Sequence, residues 1–389
     1  MIRRLRLENY RSHGSTELGL EPLSLLVGPA GAGKSNLLKA LVFLQNSVQR
    51  PLTELLPPAS PWDFRNVRSR WADETAPMGF VVELSIGEYV ARYVLRFAEA
   101  PAGVYVLEET LARRVGDRDW QWVFQRRWNE KPEIGEFGTF TANDPTVLNR
   151  IWHGTKPGDA REGIRFARDV AKSLWKTGYY HLETSWLREP GDDRDQDRIG
   201  YRGEGLPGFL ARLQREEPQS HAEILQAMRE LLPTLDQIIV NRIGPDRQGM
   251  AMTFRDQRGY VNAPDLSDGT MLTLGLLAIT KSKQLPRLLC IEELETGLHP
   301  ARLRWLFDRF LEIAHPTMRG ADPVQIVLTS HSPYLVNLFQ DMPHAVTVVE
   351  HKDGRTSMRN LVEIKAALHD TSVGSPIGHE WATGLFEGL

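Results

Sequence analysis

A glycine-rich run near the start of the chain constrains the fold more than any other feature of the sequence. It matches the pattern G-x-x-x-x-G-K-[ST], in which a tight loop and the next helix turn backbone N–H groups toward the phosphates of a nucleotide. The run consists of Gly28, Pro29, Ala30, Gly31, Ala32, Gly33, Lys34 and Ser35. In such a loop we expect Lys34 to reach the β- and γ-phosphates and Ser35 to hold Mg²⁺.

The residues on either side of this loop supply the context that the pattern requires. Residues 23–27 are a short apolar run that predicts a buried strand. Residues 36–41, which begin at Asn36, have the spacing of an amphipathic helix. Because strand, loop and helix follow in that order, the run predicts a nucleotide-binding α/β core rather than a glycine-rich turn without a ligand.

The composition is that of an ordinary soluble globular protein, with 41% hydrophobic and 25% charged residues. The net charge of −3 gives no overall basic footprint, so contact with nucleic acid would need a local basic surface. The one cysteine, Cys290, excludes an internal disulfide. The chain has no apolar run of about 18 residues and no apolar signal segment at its start, so we expect a cytoplasmic protein that does not enter a membrane.

The pattern of polar and apolar residues indicates that two insertions split the nucleotide core. Regular alternation predicts an antiparallel meander, which is followed by a mostly helical stretch with a polar loop, and later helices and strands alternate as in a βαβ core. We therefore predict a first part of the core at 1–45, an excursion and β meander at 46–145, a mostly helical insertion at 146–260, a second part of the core at 261–350 and a C-terminal tail at 351–389.

Two adjacent carboxylates, Glu292 and Glu293, follow the apolar run 288–291. At the carboxyl end of a parallel strand, the first carboxylate could contact Mg²⁺ and the second could orient and deprotonate an attacking water. The same residues also fit a strand followed by an ordinary acidic helix start.

Two further segments carry polar residues at the edges of predicted elements. His331 follows the apolar run 325–330, where a histidine could sense a γ-phosphate or simply make a structural hydrogen bond. Residues 266–270 (L-S-D-G-T), which we call the signature segment, open a predicted helix and place Ser267 and Gly269 at its start. A helix start of this kind is an anion site, although Ser267 alone would also fit a plain helix cap.

Taken in order along the chain, these motifs resemble those of the ABC-type ATPases, in particular the RecF/SMC-like and OLD-like branch of the AAA family. Residues 7–13 (L-E-N-Y-R-S-H) resemble the N-F-R-S-H start of DNA double-strand-break repair ATPases. Residues 292–300 (E-E-L-E-T-G-L-H-P) are similar to their E-E-P-E-x-G-x-H-P, and residues 329–333 (T-S-H-S-P) to their T-[TS]-H-S-P switch. The resemblance implies an α/β P-loop NTPase of ABC type, with a mixed sheet flanked by helices, an antiparallel β subdomain and a helical insertion.

The resemblance implies that ATP and Mg²⁺ are the cofactors. The phosphate contacts would come from Gly28, Pro29, Ala30, Gly31, Ala32, Gly33, Lys34, Ser35 and Asn36. Ser35 and Glu292 would bind Mg²⁺, Glu293 would be the catalytic base, and Lys34 and the switch residue His331 would complete the catalytic set.

The resemblance further implies that each ATP site is shared between two copies of the chain. Ser267 and Gly269 would contact the γ-phosphate of an ATP held by the other subunit, so that two chains sandwich two ATP molecules in a head-to-tail homodimer. Arg11 would lie near the nucleotide.

Several positions depart from the family pattern. Ala30 replaces an asparagine, Leu294 replaces a proline, and Glu292 stands where the family has the shorter aspartate. The last two departures leave the metal distance and the rate of hydrolysis open. Gln45 and Gln49 are candidates for a glutamine lid by neighbourhood only.

Three classes of function fit these motifs. The first, which the N-Y-R-S-H start favours, is an ATPase of DNA repair or phage defence that relays its ATP cycle to DNA or to a separate effector, for example a TOPRIM-type nuclease. Residues 332–389 carry no D-x-D cluster, so we expect no such nuclease within this chain. The second is the ATPase subunit of a membrane transporter, against which the large insertion and the absence of L-S-G-G-Q argue. The third is a nucleotide-gated scaffold with little turnover.

Two segments leave their role open. One interleaves cations with aromatic residues, which suits either nucleic-acid contact or, as we favour, a β-hairpin with its aromatic face covered and its arginines outside. Its residues are Arg113, Arg114, Arg118, Trp120, Trp122, Arg126, Arg127, Trp128 and Lys131. The other is the apolar run at 378–386, which either docks a partner or folds back on its own core.

Overall fold

The structure is a computed structural model and describes the chain except for residues 102, 129, 131–133, 142, 156–158, 160, 193–196, 244, 282–284, 317–322, 369–375 and 385–389. Lys131 of the cationic segment and residues 385 and 386 of the C-terminal run therefore lie outside the described residues. The chain separates into two compact units, the first made of Met1–Gly178 with Gln325–Leu389 and the second of Tyr179–Val324. The domain bounds expected from the sequence stay a prediction.

The strands follow one another along the described chain. They are β1 (Ile2–Tyr10), β2 (His13–Gly19), β3 (Leu23–Val27), β4 (Met78–Ile86), β5 (Tyr89–Ala100), β6 (Gly103–Val115), β7 (Gln121–Arg127), β8 (Thr177–Tyr180), β9 (Gly191–Asp192), β10 (Leu235–Arg242), β11 (Arg247–Phe254), β12 (Tyr260–Asn262), β13 (Leu288–Ile291), β14 (Gln325–Ser330), β15 (Val346–Lys352) and β16 (Arg355–Asn360).

The helices alternate with these strands, and single 3₁₀ turns lie at Gly135–Phe137, Ala263–Asp265 and Pro343–Ala345. They are α1 (Lys34–Gln49), α2 (Leu52–Leu55), α3 (Phe64–Val67), α4 (Val147–Gly154), α5 (Glu162–Trp175), α6 (Thr184–Arg188), α7 (Leu206–Glu216), α8 (Pro218–Leu231), α9 (Asp268–Thr280), α10 (Pro300–Ala314), α11 (Pro333–Leu338), α12 (Leu361–Ala367) and α13 (Ile377–Ala382).

The first unit contains an antiparallel sheet in the order β2-β1-β4-β5-β6-β7. The predicted meander is confirmed, since β4 to β7 pair in sequence as hairpins. The first two strands also join this sheet, because β1 pairs with both β2 and β4. Phe43 of α1 packs on the buried face, with its ring centroid 5.2 Å from that of Phe80 and 5.7 Å from that of Phe97.

The first unit also holds a mixed sheet. In it β3 lies between β14 and β15, parallel to both, and β16 adds to β15 in antiparallel register. All five residues of β3 are buried, as expected for a strand with neighbours on both sides. Because parallel strands end at the same edge of a sheet, the phosphate loop after β3 and His331 after β14 leave the sheet on the same side.

The second unit combines helices α6 to α10 with short strands. An antiparallel sheet runs β10-β11-β12, with β9 paired to β11. Helix α9 is apolar and buried from Thr270 to Thr280. Strand β13 is buried throughout and ends directly before Glu292, as the apolar run 288–291 predicted.

Candidate nucleotide site

The phosphate loop leaves β3 and turns directly into α1. A Cβ atom on Gly28 would lie 2.0 Å from the Val349 carbonyl oxygen, and one on Gly33 would lie 2.2 Å from Thr356 Oγ1. Gly33 also has a left-handed φ of 110°. Both positions therefore require glycine. No side chain caps the start of α1 among the described residues, so its first N–H groups are suited to an anion.

Lys34 lies inside the curl of this loop. The residue is 4% exposed, and its Nζ donates hydrogen bonds to the carbonyls of Gly28 at 2.7 Å and Pro29 at 3.0 Å. The same Nζ lies 3.2 Å from Nε2 of His331. An ammonium can only donate, so Nε2 accepts and the proton of a neutral His331 is on Nδ1. The structure thus brings together two site residues that are almost 300 positions apart in the sequence.

Two side chains outside the loop, Thr356 and Ser12, form a hydrogen-bonded chain to its backbone, and neither had a role assigned from the sequence. Thr356 of β16 is buried, and its Oγ1 lies 2.8 Å from the Ala32 carbonyl oxygen and 2.8 Å from Ser12 Oγ. Since the carbonyl only accepts, Thr356 donates to it and Ser12 donates to Thr356. Asn36 Nδ2 in turn donates to Ser12 Oγ at 2.9 Å.

His13 also contacts the backbone of the loop. Its Nε2 lies 3.3 Å from the Gly33 carbonyl oxygen and its Nδ1 lies 2.9 Å from Thr16 Oγ1. Burial lowers the pKa of His13 to about 4, although the hydrogen bond to Gly33 opposes that shift. His13 is therefore a neutral hydrogen-bond donor to the loop at neutral pH. Only its place in the N-Y-R-S-H run could have pointed to this contact.

Arg11 lies on the turn between β1 and β2, one residue before Ser12. Its φ of 51° is left-handed, and its backbone N–H donates to the Val67 carbonyl at 2.8 Å. The guanidinium carbon lies 5.0 Å from the ring centroid of Trp62 and 5.8 Å from that of Tyr10. Arg11 is therefore held by aromatic rings on a turn that also contacts the phosphate loop.

The predicted carboxylates lie in the second unit, at the end of β13. The backbone N–H of Glu292 donates to the Tyr180 carbonyl at 2.8 Å, which fixes the backbone at this point. Glu292 is buried, and its Oε2 lies 3.1 Å from Nδ1 of His181 and 3.4 Å from the hydroxyl of Tyr201. Glu292 Oε1 is buried without a hydrogen-bond partner among the described residues.

Glu293 follows in a left-handed conformation with a φ of 48°. Few non-glycine residues adopt this conformation, which costs about 1–3 kcal/mol and is concentrated at functional sites. The Thr296 N–H donates to the Glu293 carbonyl at 2.9 Å, so the chain turns sharply here. Glu293 thus begins a tight turn directly after the buried carboxylate.

The signature segment begins α9 in the second unit. Ser267 caps the helix, and its Oγ lies 3.3 Å from the Thr270 N–H nitrogen and 2.8 Å from Thr270 Oγ1. This is the plain capping role that the sequence also allowed. A pocket of about 530 Å³ opens beside it, lined by Glu230, Leu231, Ser267, Gly269, Gly297, His299, Ala301 and Arg302.

The segment that interleaves cations with aromatic residues matches the predicted β-hairpin only in part. Phe124 is buried as predicted for a covered hairpin face, but Trp122 on the same predicted face is 57% exposed. The cause is a register shift between Leu111 and Ala112, which interrupts the alternation of β7 against β6. The prediction that the arginines lie outside is wrong for Arg126, which is buried 3.3 Å from Glu109.

The described part of the C-terminal run folds back on the first unit. Helix α13 packs on α11, where the backbone N–H groups of Ile377 and Gly378 donate to side chains of Gln340 and Asn337 at 2.9 and 2.6 Å. Of the two alternatives for this run, its described residues take the intramolecular one.

Within the described ranges, no helix combines the length and apolar composition that a membrane crossing requires.

Comparisons with known proteins bear on the family and on the fold of the chain. A family described as "AAA domain, putative AbiEii toxin, Type IV TA system" matches residues 23–337, well over half of the chain. A 44-residue stretch is 52% identical to the DNA double-strand break repair Rad50 ATPase of Methanopyrus kandleri, covering 11% of this chain and 5% of that protein. The chain thus spans only a small part of the length of this curated relative.

One solved structure has a similar fold over nearly the whole length of both chains. An SMC head, solved bound to the C-terminal winged-helix domain of ScpA, aligns over 92% of this chain and 96% of its own, at 11% identity and a TM-score of 0.54. This identity supports a common fold and nothing more specific. With the family match, it confirms the predicted α/β P-loop fold of ABC type. The chain belongs to this AAA family and has the fold of the SMC/RecF-like ABC-type ATPases.

Proposed function

We propose that this protein binds ATP with Mg²⁺ and hydrolyses it in a dimer that holds two nucleotides between two copies of the chain. The observation that carries the proposal is the contact of 3.2 Å between Lys34 Nζ and His331 Nε2. It places a strand-end histidine beside the phosphate-loop lysine, where both can meet the terminal phosphate of a nucleotide.

The cation would be held by Ser35 and Glu292, together with phosphate oxygens. Mg²⁺ bound to nucleotides commonly takes one or two protein carboxylates and keeps its remaining ligands from phosphate and water. Glu292 fits this role, because Oε1 is a buried carboxylate oxygen without a hydrogen-bond partner in the described structure. The ion would neutralise charge on the phosphates.

Within this proposal Glu293 is the catalytic base. A carboxylate next to the metal-binding one can accept a proton from a water that attacks the γ-phosphorus. The phosphate loop from Gly28 to Asn36 orients the triphosphate, and Arg11 lies on the turn that supports the loop. Hydrolysis would therefore depend on Glu293, and nucleotide binding would depend on Lys34.

The second half of each site would come from the partner copy. Ser267 and Gly269 line an open pocket at the start of α9, where helix N–H groups and the helix dipole suit a γ-phosphate. Reciprocal use of the same two surfaces gives an isologous dimer with two composite sites.

We further propose that the dimer acts in DNA repair or phage defence in the cytoplasm and passes its ATP cycle to DNA or a separate effector. The family description names a putative AbiEii toxin, and the Rad50 relative is a DNA double-strand break repair ATPase. Since the SMC head with the similar fold binds ScpA, contact with a separate protein suits a head of this type.

The Glu293→Gln variant tests the proposal. It should bind ATP as tightly as the unaltered chain, lose at least about 100-fold in hydrolysis, and elute as a dimer with ATP in size-exclusion chromatography with light scattering. Lys34→Ala should bind no ATP, and the exposed Glu312→Gln is the matched control. Normal hydrolysis by Glu293→Gln would refute the assignment of the base. Failure of the unaltered chain to bind ATP, or to dimerise with it, would refute the proposed function.

A further inference from the structure

Residues 179–189 and 200–205, which we call the bracing segment, contact both the metal-side carboxylate and the signature segment. The sequence predicts this part of the chain only as a mostly helical stretch with a polar loop. All the contacts described below lie within the second unit.

One end of the bracing segment holds a single oxygen of Glu292. His181 Nδ1 and the Tyr201 hydroxyl both lie on Oε2, at 3.1 and 3.4 Å. The ring centroid of Tyr201 lies 4.7 Å from that of Tyr179, and this contact limits the movement of the Tyr201 ring. Because both donors use Oε2, they fix the rotation of the carboxylate and leave Oε1 for a cation.

The other end holds the residues on both sides of Ser267. The Arg188 guanidinium donates through Nη2 to the Leu266 carbonyl at 2.7 Å and to Asp268 Oδ1 at 2.7 Å. It also donates through Nε to the Ala263 carbonyl at 3.2 Å. A planar guanidinium that spans three acceptors fixes their relative positions, and with them the start of α9.

Close packing joins the two ends. Leu187 is fully buried between two glycines, since a Cβ on Gly203 would lie 2.5 Å from Leu187 Cδ2 and one on Gly275 of α9 would lie 2.8 Å from it. The backbone N–H of His181 donates to the Tyr201 carbonyl at 2.9 Å. Six residues separate His181 from Arg188, so a shift at one end can reach the other through packed atoms.

We propose that the bracing segment is a mechanical link in which His181 and Arg188 are positioning residues, one for Glu292 and the other for the signature segment. The inference rests on the proposed function. In the head-to-tail dimer, Glu292 serves the nucleotide of its own chain, while Ser267 serves the nucleotide of the partner. The link therefore couples the occupancy of one composite site to the geometry of the other.

A double-mutant cycle on cation binding tests the link, with the affinity for Mn²⁺ in the presence of ATP measured by electron paramagnetic resonance. His181→Ala should weaken Mn²⁺ binding roughly 10-fold, the usual scale for loss of a residue that orients a metal ligand. His181→Asn, whose Nδ2 can replace Nδ1 as donor, should restore most of the affinity. Arg188→Gln should weaken Mn²⁺ binding by about 3-fold although its contacts are at the signature segment, and it should have no further effect in the His181→Ala background.

Arg202→Gln is the matched control, because it removes an exposed ion pair with Glu183 from the same segment and should leave Mn²⁺ affinity unchanged. ATP affinity without a divalent ion and the melting temperature show whether each variant is folded. Additive effects of Arg188→Gln and His181→Ala, or unchanged Mn²⁺ affinity in either single variant, would overturn the link and leave the proposed function standing. Failure of the unaltered chain to bind Mn²⁺ with ATP would overturn both.

Discussion

Replacement of Thr356 by valine isolates the contact that holds the phosphate loop from outside. Valine keeps the shape of threonine but removes the hydroxyl that donates to the Ala32 carbonyl and accepts from Ser12, both at 2.8 Å. Thr356 is 4% exposed, so water cannot easily replace the lost donor. A buried group left without its partner costs about 1–3 kcal/mol, and we expect the free energy of unfolding to fall by about 2 kcal/mol.

The same variant should also weaken nucleotide binding. Without its anchor the loop samples more conformations, and ATP must order it on binding. If ATP binding must supply about 1 kcal/mol, half of the lost stabilisation, to order the loop, the Kd for ATP rises roughly 5-fold. Thr356→Ser keeps the hydroxyl and removes a methyl group, so its Kd should stay near that of the unaltered chain.

Urea denaturation gives the free energy of unfolding, and the fluorescence of a labelled ATP analogue gives the Kd. If Thr356→Val matches Thr356→Ser in both quantities, the hydroxyl does not hold the loop. A loss of stability that is equal in both variants would instead assign the effect to packing of the methyl group.

Three further changes test other parts of the fold, each by urea denaturation. The pKa of His13 is about 4 in the folded chain and 6.5 for an ordinary histidine, so between pH 4 and 6.5 the unfolded chain binds more protons than the folded one. The free energy of unfolding should therefore fall by about 3 kcal/mol as the pH drops from 6.5 to 4. His13→Gln should lose that part of the pH dependence, and an unchanged slope would contradict the shift. Arg126→Ala leaves Glu109 buried without its guanidinium partner and should cost about 3–5 kcal/mol, whereas a cost below about 1 kcal/mol would show that the backbone donors of Glu109 suffice. Phe43→Ala opens a cavity between Phe80 and Phe97 and should also cost about 3–5 kcal/mol, unless the sheet closes over it.

The elements that the sequence predicted well are those whose signals are local. Strand β3, the phosphate loop and α1 follow one another within 27 residues, and each is specified by apolar spacing or by glycine. Strands β13 and β14 were predicted equally well, because each is a short buried run that is followed directly by a polar residue. Fold class followed from these pieces, since their order restricts the topologies that can bury them.

Contacts between distant parts of the chain could not be predicted in this way. Thr356 reaches Ala32 only because β16 pairs with β15, which itself lies beside β3, and no spacing in the sequence encodes that approach. Arg126 is expected at the surface because a charged side chain rarely lies on a buried face. It pairs with Glu109 in unbroken register after Phe124, so it shares the buried face of Phe124, and Glu109 compensates its charge there.

Glu292 shows how such distant contacts change the meaning of a departure from a family pattern. From the sequence alone, the longer side chain raised doubt about the metal distance, because an extra methylene adds reach and a rotatable bond. In the structure, the added freedom is removed by two donors on Oε2, His181 and Tyr201. A longer side chain whose carboxylate cannot rotate can present Oε1 at one defined position. The residue type and its partners therefore form one unit, and a substitution at Glu292 cannot be interpreted without those partners.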